Sequence, residues 1–218
     1  MAIAYPYTLA VLADRLAIAS VVWDIQRNDE MSGGGDGRVW QAELAPPLWT
    51  ADVVLSDDPH NEVKQIAALI RRLHGSQESF MLYDPLSMYP QADRNGAILG
   101  ANVVTVKSVG TDRQSLSLKG LPDGYTLTLA DKMQIAYASD PVRNFFCEVS
   151  ETIIADGDGE TAEFAIFPHI PVGLAIDDVV TLKRPACKVF VPPNAFKPGT
   201  ARGAITGSAS FKVIERRR

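Results

Sequence analysis

Asp58-Pro59-His60-Asn61-Glu62-Val63-Lys64-Gln65-Ile66-Ala67-Ala68-Leu69-Ile70-Arg71-Arg72-Leu73-His74-Gly75 is the one stretch of this chain that reads as a long helix. Val63, Ile66, Ala67, Ile70 and Leu73 recur at the three- and four-residue spacing of a single helical face, while Lys64, Arg71 and Arg72 fall off it. Asp58 is expected to cap the first turn, Pro59 to take the first helical position, and His74-Gly75 to close the last turn. One apolar stripe needs a partner layer, so the helix is expected to lie across a sheet with its charged side outward.

The residues before the helix supply strands for that sheet. Leu16 to Gln26 is β-branched and aromatic, Met31 to Arg38 interrupts it with a Gly-rich run, and Val39 to Leu44 resumes, which predicts a hairpin with a flexible tip. Trp49 to Leu55 alternates Trp49, Ala51, Val53 and Leu55 against Thr50, Asp52 and Val54, and predicts a third strand. Trp23, Trp40 and Trp49 are read as sheet core. Beyond the helix, Ser79 to Tyr83 is a further strand, ended by Asp84-Pro85, a dipeptide that favours a turn and cannot continue a ladder.

Between Leu86 and Pro185 the chain offers short, turn-punctuated strands: Asn102–Val106, Ser115–Lys119, Thr126–Leu129, Lys132–Ala138, Arg143–Val149, Glu163–Phe167 and Val179–Lys183. They predict a small β-barrel or sandwich. After Pro185, Cys187–Val191 is strand-like, Pro192–Gly203 is a Pro/Gly loop, and Ala204–Glu215 ends with Ser208, Ser210 and Lys212 alternating against Ala209, Phe211 and Val213. The expected organisation is therefore a discontinuous sheet-plus-helix domain from residues 1–85 and 186–218, with residues 86–185 inserted as a β-domain. Sixteen Gly and fourteen Pro spread along the chain fit many short strands better than many helices.

The 218 residues, 46% hydrophobic and 22% charged, suffice for one large or two small cores. A formal net charge of −5 sets the surface as a whole against the phosphate backbone of nucleic acids. The one basic run, Glu215-Arg216-Arg217-Arg218, reads as a solvated, partly frayed end. Cys147 and Cys187 lie in apolar, strand-like stretches and are expected to be buried free thiols in a reducing compartment. Ala2 to Ala19 is apolar, but it lacks a basic leader and is broken by Pro6, Asp14 and Arg15, so neither a signal peptide nor a membrane span is expected.

Chemistry-bearing motifs are sparse. Ser32-Gly-Gly-Gly-Asp-Gly-Arg38 lacks the lysine and hydroxyl of a phosphate loop. Asp156-Gly157-Asp158-Gly159-Glu160 spaces its carboxylates as calcium loops do, but stops short of the distal bidentate Glu and is read as a type I′ turn. His60, His74 and His169 stand at a helix start, a helix end and a Pro-flanked turn, outside any zinc or triad motif. Gly207-Ser208-Ala209-Ser210 has the wrong glycine spacing for a nucleophile elbow. The expectation is a protein with no catalytic, cofactor or metal residues; a hydrolase with a site scattered in sequence is the remaining enzymatic reading.

From Phe80-Met81-Leu82-Tyr83-Asp84-Pro85 onward the sequence resembles the distal tail and minor tail proteins of siphophages and gene transfer agents. In that family an aromatic strand ending in Asp-Pro follows the amphipathic helix and leads into the insertion, as Ile66 to Pro85 does here. Leu127-Thr128-Leu129-Ala130-Asp131-Lys132-Met133-Gln134-Ile135, followed by Tyr137, is similar to the family's Leu-x-x-Gly-Asp-x-hydrophobic-x-hydrophobic strand, with Ala130 where Gly is common. Gly159 to Pro168 resembles its turn and strand ending in Pro, and Asp177-Asp178-Val179-Val180 the next strand start. The resemblance spans residues 20–190 and rests on order and spacing. It implies a tail-tube-like domain assembling into a closed ring, typically sixfold, at the distal end of a tail tube in a virion or a phage-derived particle built in the bacterial cytoplasm. Tube and hub proteins are the implied partners, DNA passes only as cargo, and no membrane is entered. The inserted domain would face outward, and the competing reading makes it a carbohydrate- or receptor-binding module of a tail tip.

Overall fold

The computed structural model describes residues 4–138 and 140–217. In chain order its elements are β1 (Ile18–Gly33), β2 (Val39–Leu55), β3 (Asp58–Pro59), α1 (His60–Arg71), β4 (Phe80–Tyr83), β5 (Val104–Val109), β6 (Ser115–Lys119), β7 (Thr126–Leu127) and β8 (Lys132–Tyr137). These are followed by β9 (Arg143–Val149), β10 (Ile153–Ile154), β11 (Phe164–Phe167), β12 (Val179–Thr181), β13 (Ala186–Phe190), β14 (Phe196–Lys197), β15 (Thr200–Arg202), β16 (Ile205–Gly207) and β17 (Ser210–Glu215). The fold is mainly β, with a single α-helix among the described residues. No helix among them is long and apolar enough to cross a membrane.

The chain forms two compact units, one from Met1–Arg15, Ser79–Val189 and Arg216–Arg218, the other from Leu16–Glu78 and Phe190–Glu215. These bounds differ from the expected division into 1–85 with 186–218 and 86–185: residues 1–15, 79–85, 186–189 and 216–218 fall in the unit that contains the barrel. Backbone pairing accounts for the difference: β4 runs antiparallel to β13, with Tyr83 opposite Ala186 and Phe80 opposite Val189. Tyr7 adds to it, donating its N–H to Ser79 O at 3.0 Å and accepting from Met81 N at 2.9 Å.

In that unit β11, β6, β5, β12, β8 and β9 close a six-stranded antiparallel barrel, so the middle of the chain is a barrel and not a sandwich. Alternation along each strand sends Leu116, Leu118, Met133, Ile135, Phe145 and Phe164 into one core, none more than 1% exposed. Closure leaves no free sheet edge to cap.

The second unit is a sheet and a helix. β1 pairs with β2 over most of the length of both, and β17 pairs along β2 from Ser210 opposite Val54 to Ile214 opposite Thr50. Trp49, Ala51, Val53, Leu55, Phe211 and Val213 are buried on one face of this sheet, and Val63, Ile66, Ala67 and Ile70 are buried on α1, with Lys64, Arg71 and Arg72 exposed as expected. Trp23 and Trp49 meet edge to face at 6.4 Å.

Two local expectations are corrected. Asp58 does not cap the helix: Asp58-Pro59 is itself a short strand against β16, and Pro59 stands at the cap position with no side-chain bond. And Val39–Leu55 is one strand, not two, although Pro46 and Pro47 interrupt its donors. The prolines are absorbed by a bulge. Gln26 faces Leu48 and Asn28 faces Ala45, so β2 carries an extra residue where its N–H groups are missing, and Asn28 Nδ2 donates to Pro46 O at 3.3 Å.

Candidate interaction surface

Past the prolines the hairpin leaves the core. From Asn28 to Gly33 on β1 and from Val39 to Ala45 on β2 the two strands pair only with each other, and every β2 residue in that stretch is exposed. β1 is an end strand of its sheet, so its outer N–H and C=O groups meet no other strand among the described residues. The tip is closed by its own bonds: Gly34 N donates to Arg38 O at 2.8 Å, Gly37 N to Gly34 O at 3.1 Å and Arg38 N to Asp36 Oδ1 at 3.1 Å.

This arm carries large apolar side chains in the open: Met31 is 68% exposed, Val39 62%, Trp40 70% and Leu44 68%. Trp49 is buried and Trp23 half-buried against it, but Trp40 stands in the open, which corrects the expectation for it. A second bulge, where Asn28 faces Ala45 and Asp29 faces Glu43, returns the even-numbered residues of β2 to the outer face. Ser32 opposite Trp40 and Glu30 opposite Ala42 then continue the outer face that holds Asp52 and Val54 lower in β2. Residues 24–45 hold five carboxylates (Asp24, Asp29, Glu30, Asp36, Glu43) against Arg27 and Arg38. Asp29 and Glu43 stand directly opposite; Gln41 Nε2 donates to Asp29 and Arg27 lies 3.9 Å from it, offsetting the repulsion.

Lower on the same face, Asp52, Val54, Ala195, Lys197 and Lys212 line a groove of about 350 Å³. Val54 is 40% exposed there, and the Lys212 ammonium is 3.8 Å from Asp52 with both side chains well solvated.

The other residues singled out by sequence have structural work to do. His60 ties the start of α1 to the β15–β16 hairpin, Nδ1 lying 2.6 Å from Thr206 Oγ1 and Nε2 2.8 Å from Gly203 O. His74 takes a left-handed φ of 50° just past the helix, and His169 is exposed after Pro168. Cys147 and Cys187 are buried and free. Asp156 spends its carboxylate on the N–H groups of Asp158 and Glu160 at 3.0 and 2.9 Å, and Glu160 pairs with Lys107, whose ammonium it holds above the ordinary lysine range. That loop is not the type I′ turn expected, because only Gly159 (φ 73°) is left-handed; it is a tight turn followed by one left-handed residue. Arg216 is anchored rather than frayed, its N–H donating to Lys188 O at 2.7 Å, while Arg218 lies outside the described residues. Burial, and then Arg216, push the Lys188 ammonium down.

Three buried aspartates shape residues 84–102, which lack strand and α-helix. Asp84 accepts from Leu86 N and from Lys132; Asp131 accepts from Gln91 N at 2.9 Å and Thr128 N at 2.7 Å; Asp93 accepts from Ile98 N at 3.1 Å and Leu99 N at 2.9 Å. Burial acts to raise the Asp93 pKa, and the Leu99 and Ile98 N–H groups with the Tyr125 hydroxyl outweigh it, leaving the carboxyl below its ordinary value. Among the described residues no three His, Cys, Asp or Glu side chains converge as a metal site would need. No residue from 86 to 185 among those described presents an exposed aromatic ring; the exposed apolar side chains there, including Leu86, Val103, Val172 and Ile176, are aliphatic.

No protein-family model matches this sequence, and no curated protein matches it.

Proposed function

We propose that this chain is a structural, non-catalytic subunit of a phage-type tail, forming a ring at the distal end of the tail tube and connecting the tube to the hub below it. The observation that carries this reading is the hairpin arm: two long strands leave the sheet with an open outer edge and with Met31, Val39, Trp40 and Leu44 in water. A long free edge and a group of exposed apolar side chains are what a monomer avoids and an assembling subunit uses. Repeated heterologous contacts whose rotation closes give a ring. The sheet with one helix is the tail-tube-like part of the reading, and the barrel is the part available to outer partners.

A ring of this kind must let DNA pass without holding it. The net charge of −5 and the acidic arm suit a wall that repels phosphate over a Debye length, about 8 Å at physiological salt. The alternative, a carbohydrate-binding tip module, has less support, since residues 86–185 expose aliphatic side chains where sugar stacking calls for rings. Electron microscopy and mass measurement of the purified chain, alone and with tube and hub proteins, test the reading. Closed rings and no duplex binding at physiological salt are expected. A persistent monomer with tight, salt-sensitive DNA binding would overturn it.

A further inference from the structure

Trp40 and the groove beside Val54 lie on the same outward face of one sheet, one on the projecting arm and the other at its base. We propose that they meet between copies: the outer face of the arm, Trp40 with Ala42 and Glu30, seats in the groove of a second copy of this chain, where Glu30 faces Lys197 and Lys212. The inference rests on the self-assembling reading above and names the contact that makes the assembly.

Shape and reach allow it. The groove, about 350 Å³ and bordered by Val54, Ala195 and the stems of Lys197 and Lys212, has room for an indole ring. Six residues of extended strand, Asn28 to Gly33, carry the arm roughly 20 Å past its last bulge, enough to overlap a neighbouring sheet.

Charge selects the occupant. The arm is acidic, with Glu30 directly across from Ala42 and beside Trp40, whereas the groove has two lysines and the single carboxylate of Asp52. Lys212 and Asp52 form a solvated pair at 3.8 Å, of the kind that contributes little to the monomer, so Lys212 is readily redirected to an incoming Glu30. Trp40 would then be the central anchor, with the charges setting register.

The experiment is sedimentation velocity on the full chain and on variants at exposed positions, with melting curves to show that each is folded. Trp40→Ser, Glu30→Lys and the pair Lys197→Glu with Lys212→Glu are each expected to weaken self-association at least about tenfold. Combining Glu30→Lys with the two lysine reversals is expected to restore most of it. Unchanged association of Trp40→Ser, or no rescue by the combined reversal, would overturn this contact while leaving the ring reading intact. A wild-type chain that stays monomeric at every concentration, alone and with tube and hub proteins, would remove both.

Discussion

The Lys132 ammonium lies 2.6 Å from a carboxylate oxygen of Asp84, and both side chains are less than a tenth exposed. Lys132 opens β8 of the barrel and Asp84 directly follows β4, so the pair ties strand to barrel within one unit, with the Phe146 ring 5.9 Å from the ammonium. Removing one charge leaves the other buried without its counterpart. Lys132→Met is expected to destabilise by about 3–5 kcal/mol in urea melts, and Lys132→Met with Asp84→Asn by clearly less than the sum of the two single losses. Additive losses would mean the two groups act independently.

Ile70 is 3% exposed on the inner stripe of α1 and its neighbour Arg71 is exposed. Ile70→Asp forces a carboxylate into an apolar layer and should lower stability by about 3 kcal/mol or more, while Arg71→Asp should stay within about 0.5 kcal/mol. Thermal denaturation of the two variants side by side checks which face is buried.

Ala130 holds a φ of 72°, left-handed backbone that an alanine adopts at a cost. Ala130→Gly is expected to stabilise by about 1 kcal/mol. Gly159→Ala should do the reverse and more strongly, because its φ is 73° and an added Cβ would stand 2.2 Å from Leu121 O. A melting temperature that moves in the same direction for both would show that backbone strain is not what governs these sites.

Asp93 gives the barrel unit an acid-sensitive joint. Its folded pKa lies below the unfolded value near 3.8, so its stabilising bonds to Ile98 and Leu99 are fully present above that value and are lost as pH falls below it through the folded pKa. Asp93→Asn should lower stability at neutral pH and flatten the loss as pH falls below 3.8. Urea midpoints across that range, compared with wild type, provide the measurement.

The parts of this fold that depend on local periodicity were legible in the sequence. The 63–66–67–70–73 stripe marked the helix and its buried face, and alternation with turn residues located the barrel strands to within a few positions. What needed a partner strand was not legible. Nothing in Pro46-Pro47 tells that β1 will face it in a register that absorbs both residues, and nothing in Phe80–Tyr83 tells that β13 and Tyr7 will draw it into the barrel unit. Trp40 looked like core because a strand pattern reports two faces without reporting whether either is covered. The groove is composed of residues from β2, β17, β14 and the turn just before β14, brought together by strand pairing and carrying no motif.

The two bulges of the arm come as a set. Each inserts one residue into β2 and reverses which way the following side chains point; together they cancel, so that Trp40 emerges on the same side as Val54. β1 runs through the same stretch without an insertion, so Glu30 and Ser32 keep to the outer face and hold their partners Ala42 and Trp40 there with them. The kinks thus set the bend and twist of the arm, and the unbroken strand beside them sets which side chains it presents, so a one-residue change at its root would alter where the hairpin reaches and leave its outer face as it is.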